Sequence, residues 1–342
     1  MIHDEFPTVS LHNVTETDIA DWTGRTTGGH RLCRVPSSVR SAVNVAARER
    51  LRHPSGCELR FVPRGDDETI SVTLSAPAET VVRPFWGEFQ GAETHTLTAT
   101  PTTLEFSVPE RVRRLESAVA ATSAFDPRVC RLRFDAWVPV AVHDVAGDCR
   151  PPTEAQRPAR RYLAYGTSIT EGASATAGHL TYVSRIARAV GADALNLGVA
   201  GAAYCEPAIA DYIAGEDWDV ATLAVSVNMA NRGFTLEQFR TRAGALVDAV
   251  AGTNPDRPVV CVTLFPYHAD ACRDDDVERA IEFRTALREI VDGSAHENVS
   301  LVEGPEVMAA TDLTTDLLHP GDAGMAAIAE GLSPVIRNRF EA

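Results

Sequence analysis

The stretch RRYLAYGTSITEG, residues 160–172, decides how the rest of the chain is read. Two arginines lead into an apolar run, Tyr162, Leu163, Ala164 and Tyr165. It breaks at Gly166 and presents Ser168 ahead of Ile169, Thr170, Glu171 and Gly172. An apolar run of this length ending in Gly-Thr-Ser reads as a buried parallel strand that stops in a tight turn. A helical pattern follows at 177–190, which puts Ser168 at the carboxyl edge of a sheet, where open α/β sheets collect their chemistry. The plainer reading is an N-cap, since serine and threonine oxygens accept from the free N–H groups of a helix start. Catalysis needs a base, an acid and an oxyanion site from elsewhere in the chain.

Downstream of this stretch, strands and helices alternate. Apolar runs at 162–165, 194–197, 220–227, 258–265 and 299–302 read as strands, and 177–190, 206–214, 236–251, 276–291 and 322–339 as helices. In the 236–251 helix, Phe239, Ala243, Leu246, Val247 and Val250 fall on one face, the pattern of a helix laid on a sheet. Five successive β-α units predict an α/β domain over 161–342, with a five-stranded parallel sheet, right-handed crossovers and helices on both faces.

Upstream, residues 1–150 carry short alternating runs at 58–62, 69–74, 80–85, 94–100, 103–108 and 130–142. Turn-forming pieces such as Pro54-Ser55-Gly56 and Arg64-Gly65-Asp66-Asp67 separate them. That spacing predicts a β-sandwich of jelly-roll type as an accessory domain. One segment, 37–52, has helical content. Trp86 and Trp137 are expected to fill the core, with stacking on a sugar as the other role open to an aromatic ring. Residues 151–160, rich in Pro and charge and without periodicity, read as a linker. A chain of 342 residues is long enough for the two domains this implies.

There are 32 basic residues against 47 acidic ones, a net charge of −15, and every basic residue is arginine. Such a surface repels nucleic acid and anionic membranes, so neither is expected as a partner. A salt-rich cytoplasm, where self-repulsion is screened, is one setting that fits; a GC-rich genome favouring arginine codons is the other. No charged-then-apolar leader opens the sequence and no apolar run is long enough to span a bilayer, which predicts a cytoplasmic protein. The seven cysteines are odd in number, scattered, and without a C-x-x-C pair. Free buried thiols are expected, although Cys33/Cys57 or Cys130/Cys149 can meet across strands.

The missing acid and base stand in Asp316-Leu317-Leu318-His319-Pro320, just ahead of the last helix. Pro320 and Gly321 suit a helix start, so His319 belongs at the mouth of a turn. An acid three residues ahead of a histidine can reach its Nδ1–H, fix the tautomer and free Nε2 to take a proton from Ser168. For a developing oxyanion, the second strand ends in Asn196-Leu197-Gly198-Val199-Ala200-Gly201, and the Gly201 N–H is the candidate donor. The third ends in Ser226-Val227-Asn228-Met229, where the Asn228 amide is another, an Asx turn being its plainer role. The Ser168 N–H completes three donors from three successive strand ends. Tyr204, Glu206 and His268 are further candidates for substrate contact; a helix-start carboxylate and a solvated loop histidine are the plainer readings of the last two. The acidic run 274–276 reads as a helix start and lacks the spacing of a calcium loop.

Ser168, Gly201, Asn228 and His319 fall in order onto the four blocks that name the SGNH, or GDSL-type, hydrolase family, with Asp316 in the acid position of its D-x-x-H-P block. The stretch 161–340 resembles that family. The resemblance implies a flavodoxin-like three-layer α/β/α fold and hydrolysis of esters through a serine acyl-enzyme, with no metal or other cofactor. Two blocks depart from the pattern: Gly-Asp-Ser becomes Gly166-Thr167-Ser168, and Gly-x-Asn-Asp becomes Ser226-Val227-Asn228-Met229. Neither change removes a catalytic atom; both alter the pocket wall. A β domain ahead of such a domain is similar to two-domain carbohydrate esterases that remove acetyl groups from sugars, and to certain acyltransferases acting on natural products. The partner so implied is a small-molecule acyl ester linked to a sugar, with transfer to an alcohol and non-catalytic glycan binding as the alternatives.

Overall fold

In the computed structural model, which describes residues 5–22 and 26–341, the apolar runs of the second half lie side by side. They form β1 (Arg160–Gly166), β2 (Ala192–Asn196), β3 (Val220–Ala224), β4 (Val259–Val262) and β5 (Val299–Val302), in the sheet order β2-β1-β3-β4-β5. β1 pairs β3, β3 pairs β4 and β4 pairs β5, all parallel. This is the order of a flavodoxin-like doubly wound sheet, whose switch point lies between β1 and β3. All five residues of β3 are buried, as a strand covered on both faces requires.

The helices that cover the sheet are α1 (Ser168–Glu171), α2 (Tyr182–Val190), α3 (Pro207–Gly215), α4 (Ser226–Asn231), α5 (Leu236–Thr253), α6 (Val277–Asp292) and α7 (Asp322–Glu341). α5 buries Phe239, Ala243, Leu246, Val247 and Val250, the face its spacing predicts, and a Thr235/Gln238 capping box starts it. Asp276 caps α6 by accepting the Arg279 N–H at 2.9 Å, which is the use of the 274–276 acidic run. Other expectations are corrected. The run 220–227 leaves the sheet at Ala224: Val225 turns to φ −110°, ψ −4° and Ser226 opens α4, so Asn228 sits within a helical turn and not at a strand end. The β4 ladder stops at Val262, short of Phe265. The expected helix 177–190 is a short 3₁₀ turn, Gly178–Leu180, then α2, parted by the extended backbone of Thr181.

The N-terminal runs build two antiparallel sheets. One orders Ser10–His12, Glu58–Pro63, Cys130–Phe134, Thr80–Trp86 and Phe89–Gln90, with His95–Leu97 and Cys149–Arg150 attached. The other orders Glu16–Asp21, Thr26–Cys33, Ala141–Ala146, Ile70–Ser75 and Thr102–Phe106. Leu59, Phe61 and Leu132 of the first share one apolar core with Val72, Leu104 and Val142 of the second. The expected strand 130–142 is two strands, one in each sheet, because the chain bends over 135–139, where Pro139 has no N–H for a ladder. Trp86 belongs to the core, but Trp137 lies in that bend and is 37% exposed, so it is not core filler. On the other face of that first sheet's strand, outside the apolar core, Glu58 is buried and accepts from Arg131 at 2.6 and 2.7 Å and from Arg60 at 2.8 Å. Burial pushes its carboxyl up, but the guanidinium groups of Arg131 and Arg60 outweigh burial and hold it well below the usual range. All seven cysteines are free, and six are buried.

Two compact units result. One comprises Met1–Ser37, Leu51–Ala159 and Gly191–Asp193; the other comprises Ser38–Arg50, Arg160–Val190 and Ala194–Ala342. The helical stretch 37–52 thus joins the α/β unit for most of its length, as two short helices, Ser37–Ala42 and Val45–Arg50. Asn44 separates them, its Oδ1 accepting the Ala47 N–H at 2.9 Å to start the second. Among the described residues no helix is long and apolar enough to cross a membrane.

Candidate active site

β1 carries the chain to the sheet edge, where Thr167 takes the N-cap position of α1 without a side-chain cap bond and Ser168 becomes the first helical residue. The Ser168 hydroxyl is therefore not a cap. Its Oγ lies 2.9 Å from His319 Nε2. Across the ring, His319 Nδ1 lies 2.7 Å from Asp316 Oδ2. The other carboxylate oxygen, Oδ1, accepts from the Leu318 N–H and the His319 N–H, each at 2.9 Å, and from the Thr314 hydroxyl at 2.8 Å. Leu317, at φ 51°, turns the chain so that both amides converge on that oxygen. The loop is closed by the Thr314 N–H on the His319 carbonyl, 2.8 Å.

Partial burial works against the charge of Asp316. The amide and ring N–H of His319, the Leu318 amide and the Thr314 hydroxyl together outweigh it and hold the carboxyl far below the usual carboxylate range. An ionised carboxylate only accepts, so His319 carries its proton on Nδ1, and the Nε2 lone pair is left for the Ser168 O–H.

The loop after β2 holds Gly201 at φ 68°. Hydrogen bonds take up the amides on either side of it. The Gly198 N–H donates to Asn196 Oδ1 (2.9 Å), Val199 to the Gly166 carbonyl (2.8 Å) and Ala200 to Glu171 Oε2 (2.6 Å). Ala202 donates to the Val199 carbonyl (3.3 Å) and Ala203 to Asn228 Oδ1 (3.1 Å). Among the described residues the Gly201 N–H has no such acceptor, although each other amide from Gly198 to Ala203 has one. Because Ala203 engages Oδ1 of Asn228, the amino end of that buried side chain carries the N–H groups still to be used.

The other candidates are placed differently. The Tyr204 hydroxyl donates to the Gly201 carbonyl at 3.0 Å, and its ring lies 4.9 Å from that of Phe234. Glu206 takes the N-cap position of α3, and its Oε1 accepts from Asn44 Nδ2 at 2.6 Å. His268 pairs with Asp275 at 3.1 Å and shares no hydrogen bond with Ser168, His319 or Asp316. The sequence assigns no role to Glu171, Asn196, Asn44 or Thr314. A carboxylate at the end of an otherwise apolar block is the only local signal for Glu171, and Thr314 carries none.

A doubly wound α/β unit whose carboxyl edge bears a hydrogen-bonded serine–histidine–aspartate line has the arrangement of the serine acyl hydrolases. Residues 159–337 match the GDSL-like lipase/acylhydrolase family, and the chain belongs to that family. Solved structures resemble nearly its whole length. The salicylyl-acyltransferase SsfX3 from a tetracycline biosynthetic pathway aligns at a TM-score of 0.76 and 17% identity, over 98% of this chain and 94% of its own. A GDSL-like lipase from Bacteroides ovatus aligns at 0.68 and 16%, over 97% and 98%. A family two carbohydrate esterase from Clostridium thermocellum, solved with cellohexaose, aligns at 0.62 and 18%, over 97% and 99%. At such identities the likeness is one of fold. No curated protein matches the sequence.

Proposed function

We propose that this protein is a serine ester hydrolase that works through an acyl-enzyme and removes small acyl groups, acetyl first among them, from a carbohydrate or a related small molecule. The observation that carries the reading is the line Asp316–His319–Ser168, with separations of 2.7 and 2.9 Å. Ser168 Oγ attacks the ester carbonyl carbon while its proton passes to His319 Nε2, and Asp316 stabilises the imidazolium that forms. The carbonyl oxygen, now negative, is held by the N–H groups of Ser168 and Gly201 and by the amino end of Asn228. His319 returns the proton to the departing alcohol. Water then attacks the acyl-enzyme by the same route, releasing the acid and restoring Ser168.

Membership of the acylhydrolase family and the two-unit likeness to a carbohydrate esterase support this reading. On it, the β strands within residues 1–150 are a jelly-roll-like accessory domain and 161–342 the catalytic domain, with the segment Ser38–Arg50 belonging to the catalytic unit. A second reading, transfer of the acyl group to an alcohol, is favoured by the likeness to an acyltransferase over 98% of this chain. The test is release of p-nitrophenol from p-nitrophenyl acetate and of acetate from a panel of acetylated sugars. Turnover lost in folded Ser168→Ala and His319→Ala supports the enzyme; no wild-type turnover and no labelling by a serine-directed phosphonate overturns it in favour of a glycan-binding protein. With an added alcohol acceptor, ester product in place of free acid marks the transferase.

A further inference from the structure

Resting on that reading, we propose that Glu171 and Asn44 are positioning residues that together hold the Gly201 amide where an oxyanion needs it. Gly201 has no side chain with which to anchor itself, and its loop must keep one N–H unused and correctly aimed. The residues on either side are gripped instead. Glu171 is fully buried, and its Oε2 accepts the Ala200 N–H at 2.6 Å. Asn44 donates from Nδ2 to the Ala202 carbonyl at 3.0 Å and to Glu206 Oε1 at 2.6 Å.

Glu171 is also the last residue of α1, whose first is Ser168. The same short helix that presents the hydroxyl thus sets the loop that presents the amide. Backbone packing reinforces the link: a Cβ added to Gly198 would stand 2.1 Å from Glu171 N and 2.5 Å from its Cα, so only glycine lets the loop lie this close. Asn196 Nδ2 donates to the Thr170 carbonyl at 2.8 Å while its Oδ1 takes the Gly198 N–H, which ties the start of the loop to the same turn. The service of Glu171 is geometric, an acceptor oxygen held at the Ala200 N–H, and a glutamine, which keeps an acceptor oxygen at that place, should perform it. Asn44 comes from the segment 38–50, far upstream in sequence but part of the α/β unit. The oxyanion loop is thus set partly by residues that precede the β-sandwich strands from Glu58 onward.

The experiment is steady-state hydrolysis of p-nitrophenyl acetate by the full chain, with thermal unfolding of each variant. Displacing a reacting group by about 1 Å can cost about 10²-fold in rate. Glu171→Ala is therefore expected to lower kcat by up to about 10²-fold, with KM little changed. Asn44→Ala should lower kcat in the same selective way, and Glu171→Gln should recover most of the loss. A folded Glu171→Ala with wild-type kcat, a Glu171→Gln as impaired as the alanine variant, or a rise in KM at constant kcat overturns the proposal. Should Glu171→Ala not fold, Asn44→Ala decides: a selective fall in kcat supports the grip and an unchanged kcat refutes it. If the wild type turns over, and Ser168→Ala does not, failure of these variants strikes only this inference. Absence of wild-type turnover strikes the esterase reading and this one together.

Discussion

Replacing Asp316 by asparagine tests the histidine relay at the level of a single proton. Three donors converge on Oδ1 of Asp316: two backbone N–H groups at 2.9 Å and the Thr314 hydroxyl at 2.8 Å. In Asp316→Asn the amide oxygen must occupy that position, because an NH₂ there would face two backbone donors. The NH₂ is then forced into the place of Oδ2, 2.7 Å from His319 Nδ1. Nδ1 must offer a lone pair, the proton moves to Nε2, and Nε2 points a hydrogen at Ser168 Oγ instead of accepting one. The geometry survives while the base is disabled. An enforced wrong tautomer costs about 10⁴-fold in kcat, which is about 5 kcal/mol of barrier. Asp316→Ala imposes no tautomer and should fall no further than the asparagine variant. The assay is the burst and steady state of p-nitrophenyl acetate hydrolysis, with circular dichroism to show an intact fold. An Asp316→Asn enzyme within tenfold of wild type refutes the argument.

Further expectations follow from the same structure. If Asn228 is an oxyanion donor as proposed, Asn228→Ala should lower kcat by about 10²–10³-fold, with little change in KM; a change in KM alone would place Asn228 in ground-state binding. Glu58→Ala leaves the buried Arg131 without its carboxylate, while Arg60 keeps Asp193 at 2.6 Å, and should destabilise the protein by about 3–5 kcal/mol, read from urea unfolding; a loss below about 1 kcal/mol would show that solvent reaches the cluster. The Glu58 carboxyl titrates below its ordinary value of 4.5, so its stabilisation is present above that value and lost as pH falls through the depressed one. The stability gap between wild type and Glu58→Gln should therefore narrow on acidification below about pH 4.5, and a constant gap would contradict it. If the net charge of −15 reflects a high-salt setting, melting temperature should rise with potassium chloride, and indifference to salt favours the codon-bias origin of the arginines.

Much of the α/β unit was legible because its signals are local. The apolar runs give the five strands, and the 3.6-residue spacing of Phe239, Ala243, Leu246, Val247 and Val250 gives the buried face of α5. Errors gathered where a tertiary choice overrides a run. Val225-Ser226-Val227 reads as strand by composition, yet it turns into α4 once past the sheet edge, which is how Asn228 comes to face the loop of Ala203. The run 130–142 hides a change of sheet, visible only when each half finds its partners. The line from Ser168 to Asp316 could be expected from residue types and spacing. Its supporting bonds could not: Glu171 to Ala200 spans 29 residues and Asn44 to Ala202 spans 158, and no periodicity encodes either.

The meeting of the Ser168 turn with the loops that carry Gly201 and Asn228 is a consequence of sheet order. The loops after β2, β1 and β3 are neighbours, so the Gly201 loop, the Ser168 turn and the Asn228 helix come together without further provision. His319 is different. It follows β5 at the far edge, three strand spacings from β1, or about 14 Å at about 4.8 Å each. The chain between Val302 and His319 recrosses that distance through two short helical turns, Gly304–Val307 and Ala310–Asp312. It is then fixed by α7, which returns to lie beside α2: the Arg337 guanidinium donates to the Ala189 carbonyl at 2.8 Å. The first residue of α7, Asp322, accepts the Thr176 N–H at 2.9 Å and the Thr176 hydroxyl at 2.6 Å. Thr176 lies just beyond α1, so the segment that follows the serine and the helix that follows the histidine are joined directly. The hydroxyl and the imidazole are set not by their own contact, a single hydrogen bond, but by this junction three residues beyond His319.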